Sequence, residues 1–326
     1  MTDRETPPHR DARYTAFGLS IASEIELPEL ASGGPSSRAD VEIRLGQVAP
    51  TLEGATEIDA GVTAKPGALL IDCESARYLV RNGSEITISP KPGRSERDIR
   101  AYLLGSAIGA VCHQRGLLPL HANAVEARGE AVAFAGPSGA GKSTLAAHFH
   151  RRGLKVLCDD VCAVSFDAAG RPLAWPGIPR IKLWGDALAA FGRDAGDLER
   201  VFDREDKFSL PFPHHPLHSA LPLSRIFILV RAGESPGIRP LSGAQAFDAI
   251  LGNVYRLEYA AALGQAKTLF TNVVSLLART QVYAAERAWG FDVFEAEAAT
   301  LERQLGLPLE PWRPVRNRRQ TTNVKV

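Results

Sequence analysis

The chain has 326 residues with 38 Lys and Arg against 37 Asp and Glu, a net charge of +1 that excludes a broad basic field for nucleic acid or an anionic membrane. With 45% hydrophobic and 23% charged residues it reads as a globular protein long enough for two domains. Its four cysteines, Cys73, Cys112, Cys158 and Cys162, form no CxxC pair, and no apolar run is long enough to cross a bilayer or act as a signal sequence, so a reducing, cytoplasmic setting is expected.

From Tyr14 to Pro92 the pattern predicts a small β-rich domain. Val41-Glu42-Ile43-Arg44-Leu45 alternates as a half-buried strand should, and Asn82-Gly83 between Tyr78–Arg81 and Glu85–Ile88 is a strong hairpin signal. Nothing in this stretch marks chemistry, which favours a packing or substrate-docking role over an independent ligand-binding domain. Lys91-Pro92-Gly93-Arg94 reads as a linker, and Ser95-Glu96-Arg97-Asp98 as the capped start of a helix with Ile99, Leu103, Ala107, Ala110 and Val111 on one face and Gly116 at its end. His121 follows on an apolar segment, where an isolated histidine is commonly structural. Its fixed distance from the next motif makes it a site candidate.

That motif is Gly136-Pro137-Ser138-Gly139-Ala140-Gly141-Lys142-Ser143, which satisfies G-x-x-x-x-G-K-[ST], with Thr144 next to it. Glycines there let backbone N–H groups surround phosphates. The apolar run Ala131–Ala135 before it predicts a buried strand, and Leu145, Ala146 and Phe149 after it predict a helix stopped by Gly153, so a helix N-terminus points at the anion. A second apolar segment, Gly153–Val161, carries Asp159-Asp160. One carboxylate in that place suits Mg²⁺, and the other is free to accept the proton of an attacking hydroxyl.

Downstream, Asp167–Gly170 predicts a turn between strands Val161–Phe166 and Pro172–Trp175, and 176–179 is irregular. Arg180 and Lys182 then suit either phosphate contact or a solvated strand face, and Arg204, Lys207 and Arg256 are further basic candidates. Leu210–Pro222 holds four prolines with His214, His215 and His218, a pattern that favours a mobile loop over a zinc site. Arg225–Arg231 predicts a buried central strand, Ser242–Gly264 a single helix with Arg256 near its end, and Phe291–Leu305 a terminal helix.

His121, the glycine loop and Asp159-Asp160, in that order and spacing, resemble the kinase domain of HPr kinase/phosphorylase, a P-loop serine kinase related in fold to phosphoenolpyruvate carboxykinase. More narrowly, HANAV…AFAGPSGAGKSTLAA…DDV and PGIPRIKLW are similar to HPr-kinase-related proteins encoded with ribosomally made peptides, including lasso-peptide precursors. The resemblance implies ATP and Mg²⁺ as cofactors, Asp159 as catalytic base, Asp160 and Ser143 as metal ligands, Lys142 at the β- and γ-phosphates, and His121 beside the base. Two family segments are missing. The Glu-Ile-Arg-Gly signature has no carboxylate counterpart in 177–182, and Pro-Gly-Arg-Asn is replaced by Ser242-Gly243-Ala244-Gln245, so neither the phosphorylase reaction nor HPr as acceptor is expected.

The expectation is therefore an α/β protein: a β-rich domain over 1–94, an HPr-kinase-like P-loop catalytic domain over 95–312, and a basic, disordered tail over 313–326. The expected activity is phosphorylation of a serine hydroxyl on a peptide or protein, with no nucleic-acid or membrane partner and with self-association left open. A small-molecule hydroxyl kinase and a non-catalytic nucleotide-binding regulator are the alternatives.

Overall fold

The computed structural model describes residues 12–34, 38–196, 198–212, 219–232 and 236–306. The fold is mixed α/β. Its N-terminal part is one sheet of nine strands, β1 Ala12–Ala16, β2 Leu19–Ser23, β3 Ala31–Ser32, β4 Val41–Leu45, β5 Thr56–Asp59, β6 Val62–Lys65, β7 Ala68–Asp72, β8 Ala76–Arg81 and β9 Glu85–Pro90, in the order β3-β1-β2-β4-β9-β8-β7-β6-β5. In β4 the alternation seen in the sequence is realised as far as Arg44, with Val41 and Ile43 buried and Arg44 outside, and it ends at Leu45, which is exposed where the strand leaves the core. Asn82 and Gly83 join β8 to β9 at φ of 52° and 64°, both left-handed, and Ser84 N–H closes the turn on Arg81 C=O at 3.0 Å. Two consecutive positive φ values twist a two-residue turn in the sense of its strands.

One face of this sheet needs a cover, and the following helical segment supplies it. Ser95 caps α1 Glu96–Tyr102 by accepting from Asp98 N–H at 3.1 Å. A π-helical stretch, Leu103–Ala107, then leads into α2 Ile108–Gln114. Ile99, Leu103, Ala107, Ala110 and Val111 are buried as their spacing requires, in one core with Tyr78, Val80, Ile86 and Ile88. The Tyr78 hydroxyl donates to Ile99 C=O at 2.9 Å. Residue 94 is thus no gap in the packing, because the helix expected to open the second domain buries its apolar face against the first.

The second sheet contains β10 Leu118–Leu120, β11 Ala122–Ala127, β12 Glu130–Ala135, β13 Val156–Cys158, β14 Cys162–Phe166 and β15 Pro172–Ala174. A three-stranded sheet, β16 Arg180–Trp184, β17 Glu199–Arg200 and β18 Lys207–Pro211, stands apart in the order β16-β18-β17. The second sheet is completed by β19 Leu221–Arg231, β20 Gly237–Leu241 and β21 Gln281–Arg287, giving β10-β14-β15-β19-β12-β11-β13 with β21 also on β19 and β20 on β21. The pairs β12·β19 and β19·β21 are parallel, so the carboxyl ends of three strands meet at one edge, where open α/β sheets bind ligands. As expected, β19 is central and its Ile226–Leu229 run is buried.

The remaining helices are α3 Lys142–Arg151, α4 Gly185–Ala190, α5 Gly243–Leu251, α6 Leu257–Ala262, α7 Ala266–Leu277 and α8 Phe294–Leu305. The single helix expected over 242–264 is two, broken where Val254 bridges to Leu120 and where Arg256 takes a left-handed φ of 52°. Ser242 makes no side-chain cap there. Helices α3 and α8 are joined by a buried polar contact in which His148 Nε2 lies 2.8 Å from Glu302 Oε1, with Arg152 Nε donating to the same oxygen at 2.9 Å. Among the described residues no helix is long and apolar enough to cross a membrane. His214, His215, His218 and the basic tail lie outside the described residues.

Candidate functional site

The glycine loop leaves the carboxyl end of β12 and turns into α3. Gly139 and Gly141 hold φ of 82° and 81°, and Gly136 holds 148°, with Leu229 C=O so close that a Cβ would sit 2.7 Å from it. These values explain the glycines: an L side chain would strain the first two and collide with the neighbouring strand at the third. Lys142, the first helical residue, is 7% exposed and donates through Nζ to the carbonyls of Gly136 and Pro137 at 2.7 and 3.0 Å. Burial lowers its pKa, while the carboxylates of Asp160 and Asp159 act in the opposite sense. Buried Asn123 on β11 donates to the Lys142 carbonyl and so ties the start of α3 to the sheet.

The two aspartates follow the end of β13 rather than lying within a strand. Val161 N–H donates to Asp159 C=O at 2.9 Å across Asp160, whose φ is 72°. An i to i+2 hydrogen bond around a positive φ is the strained form of the γ-turn, rare outside functional sites. It separates the surroundings of the two carboxylates. Asp159 is 5% exposed, accepts from Ser143 Oγ at Oδ1 (3.0 Å) and from Lys182 N–H at Oδ2 (2.9 Å). Asp160 lines the cavity in front of the loop, receives Lys182 Nζ at Oδ2 (2.9 Å), and has His121 Nδ1 3.4 Å from Oδ1. The sequence reading grouped Ser143 with Asp160 as metal ligands; in the structure the hydroxyl reaches Asp159.

The electrostatics of the pair diverge accordingly. Burial, reinforced by the charge of Asp160, raises Asp159 to about 6. Burial also acts to raise Asp160, but the charge and hydrogen bond of the Lys182 ammonium outweigh it and hold this carboxyl well below the usual range. Lys182 is raised, the Asp160 charge overcoming the opposing effect of burial. His121 is lowered by burial and by Lys142, which favours the neutral ring. Its ring lies 5.9 Å from that of Tyr255, which packs on Gly109 so closely that a Cβ there would come within 2.8 Å of Cε1.

The cavity holds about 430 Å³, in the range of small-molecule sites, and contains His121, Ser138–Thr144, Asp160, Lys182 and Lys207. The remaining basic candidates are elsewhere. Arg180 donates to Pro28 C=O at 2.9 Å and pairs with Glu199 at 3.3 Å, on the far side of the aspartates. Arg204 is a surface residue 3.6 Å from Glu74, and Arg256 pairs with Asp59 at 3.5 Å and donates to Ser106 Oγ at 3.1 Å. Neither lines the loop cavity.

Several lining residues are not among the candidates the sequence offers, notably Arg287 at the end of β21, Trp289 and Phe291 just after it, and Trp184 at the end of β16. Those at and just after the end of β21 are remote in sequence from the loop and fit no motif, and Trp184 closes the PGIPRIKLW segment with no ionisable group to mark it as a site residue. The parallel pairing of β21 with β19 is what brings the first two to the loop's edge of the sheet.

Among the described residues no cluster of three His, Cys, Asp or Glu forms a self-sufficient metal site. Mg²⁺ does not need one, since it keeps several waters and takes one or two protein oxygens beside substrate phosphates. Ser143 Oγ and Asp159 Oδ1, both hard oxygens at the helix N-terminus, fit that requirement.

No family model and no curated protein matches the chain. A solved structure, the Hpr(Ser) kinase/phosphatase from Coxiella burnetii, is similar over 58% of this chain and 97% of its own, with 14% sequence identity and a TM-score of 0.29. So remote a likeness assigns no activity, and the chemistry of the site has to supply one.

Proposed function

We propose that this chain is a Mg²⁺-dependent kinase that transfers the γ-phosphoryl group of ATP to a serine hydroxyl of a peptide or protein. The observation that carries the reading is the division of labour between adjacent carboxylates: Asp159 faces the loop serine, and Asp160 faces the cavity with His121 and Lys182. A nucleotide switch needs the first contact but not the second. The acceptor class rests on the motif resemblance, within which a ribosomally made precursor such as a lasso peptide is the specific candidate.

In this account the loop N–H groups, the α3 N-terminus and Lys142 hold the phosphates. Ser143 and Asp159 would hold Mg²⁺, which when bound would supply neutralising charge beside the phosphate oxygens. This exchanges the roles that the resemblance implied for the two aspartates. The acceptor oxygen attacks the γ-phosphorus, the bond to the β,γ-bridging oxygen breaks, ADP departs, and the hydroxyl proton passes to the Asp160 carboxylate. Because the transition state is loose, orienting the hydroxyl matters more than basicity, so the low pKa of Asp160 is compatible with that role. His121, neutral and in contact with Asp160, positions it, and Lys182 anchors both aspartates. Without the two missing family segments, the reverse attack of inorganic phosphate on phosphoserine is expected to be weak.

The test is incubation of the protein with γ-labelled ATP, Mg²⁺ and candidate serine-containing precursor peptides, followed by mass spectrometry. A phosphoserine product that disappears with chelator supports the reading. ATP binding without transfer to any hydroxyl acceptor would favour the regulator.

A further inference from the structure

Seven large apolar side chains are exposed among the described residues, and three of them, Trp184, Trp289 and Phe291, line the one cavity that contains the glycine loop. Their exposures, 51%, 38% and 47%, are high for rings whose burial is among the most favourable available to a side chain. Scattered exposed hydrophobics need no explanation, but a concentration beside a phosphate-binding loop does. Trp184 ends β16, and Trp289 and Phe291 follow β21, so separate parts of the chain deliver aromatics to one cavity.

A second, independent feature is Arg287. It is 5% exposed, lines the same cavity, and its Nε and Nη1 have no hydrogen-bond partner. The nearest carboxylate, Glu297, is 3.9 Å from Nε, beyond hydrogen-bond distance. A buried guanidinium with unmet donors is costly unless a ligand supplies acceptors. The same cavity also contains Lys207, whose Nζ stands 5.5 Å from the centre of the Trp184 ring. Its occupant must therefore combine a flat π face, hydrogen-bond acceptors and negative charge.

We propose that Trp184, Trp289 and Phe291 form a nucleobase subsite, in which the purine of the triphosphate held by the glycine loop packs against the indole wall while Arg287 donates to its acceptor atoms. This rests on the reading of the loop as a triphosphate site and adds the residues that tell a nucleotide from bare polyphosphate. An apolar peptide side chain would meet the rings but leave Arg287 and Lys207 without acceptors. Inorganic phosphates would meet the cations and leave the rings wet.

Equilibrium titration of the full chain with two probes, Mg·ATP and Mg·tripolyphosphate, separates these contributions. Base–aromatic stacking is worth enough that Trp289→Ala or Trp184→Ala should weaken Mg·ATP about tenfold. Mg·tripolyphosphate should bind both variants as it binds the wild type, and Trp289→Phe should recover most of the loss. Arg287→Gln should likewise weaken ATP more than tripolyphosphate. If both tryptophan variants keep wild-type ATP affinity, or lose the two probes equally, the subsite is wrong although the loop reading stands. If the wild type binds neither probe, the loop reading fails and takes the subsite with it.

Discussion

Ser143 Oγ donates to Asp159 Oδ1 at 3.0 Å, joining the start of α3 to the residue that follows β13. The acceptor is a buried carboxylate beside a second carboxylate, so its charge is poorly solvated. Asp159 is raised from 3.8 to about 6, first by burial and then by Asp160.

The shift predicts a pH signature. Between the two values the folded protein holds a proton that the unfolded chain has released, so this contribution to stability is complete below about pH 3.8 and lost as pH rises through about 6. Asp159→Asn does not titrate there. Measured in chelator without nucleotide, the stability difference should move in favour of the variant by roughly 2 kcal/mol between about pH 4 and pH 7. A pH-independent difference would show that Asp159 is not held in its protonated form by the fold.

Lys142 makes its hydrogen bonds to the loop carbonyls of Gly136 and Pro137, so its ammonium is held against the glycine loop. Lys142→Ala should weaken Mg·ATP binding at least about tenfold and reduce phosphoryl transfer further, because the charge acts most strongly on the transition state. Calorimetry and single-turnover assays read the two effects separately. Native affinity with native turnover would remove the phosphate role from the loop.

Much of the fold was legible in the chain because short-range rules settle it. Asn82-Gly83 specified its turn, Ser95 its cap, and Gly139 and Gly141 the left-handed positions of the loop. What escaped depends on contacts distant in sequence. The π-helical stretch Leu103–Ala107 keeps the same residues buried as a regular helix would, so its pattern could not reveal it. The break before α6 is made by a bridge to Leu120; the β19–β21 pairing carries Arg287 and Trp289 to the cavity, and Trp184 reaches it from the separate three-stranded sheet. The order of the aspartates along the chain likewise did not say which would meet Ser143; the γ-turn at Asp160 decides that.

The hairpin itself is testable. At Gly83 a Cβ would sit 2.7 Å from Arg115 Cγ, and the φ of 64° disfavours any L side chain. Gly83→Ala should cost about 1–2 kcal/mol in chemical denaturation, with activity at saturating substrate unchanged below the transition. A neutral substitution would mean that the turn is not what registers β8 with β9.

In the proposed reaction Asp160 serves the acceptor hydroxyl and Asp159 the metal, and one measurement separates them: transfer of labelled γ-phosphoryl to a serine-peptide library, run beside Mg·ATP binding for Asp160→Asn and Asp159→Asn. Asp160→Asn should bind Mg·ATP with near-native affinity and transfer at least about 10²-fold more slowly at saturating Mg²⁺. Asp159→Asn should instead raise the Mg²⁺ concentration needed for half-maximal activity. The reverse pattern, with Asp160→Asn raising the Mg²⁺ requirement and Asp159→Asn losing transfer at full Mg²⁺ saturation, would contradict the assignment.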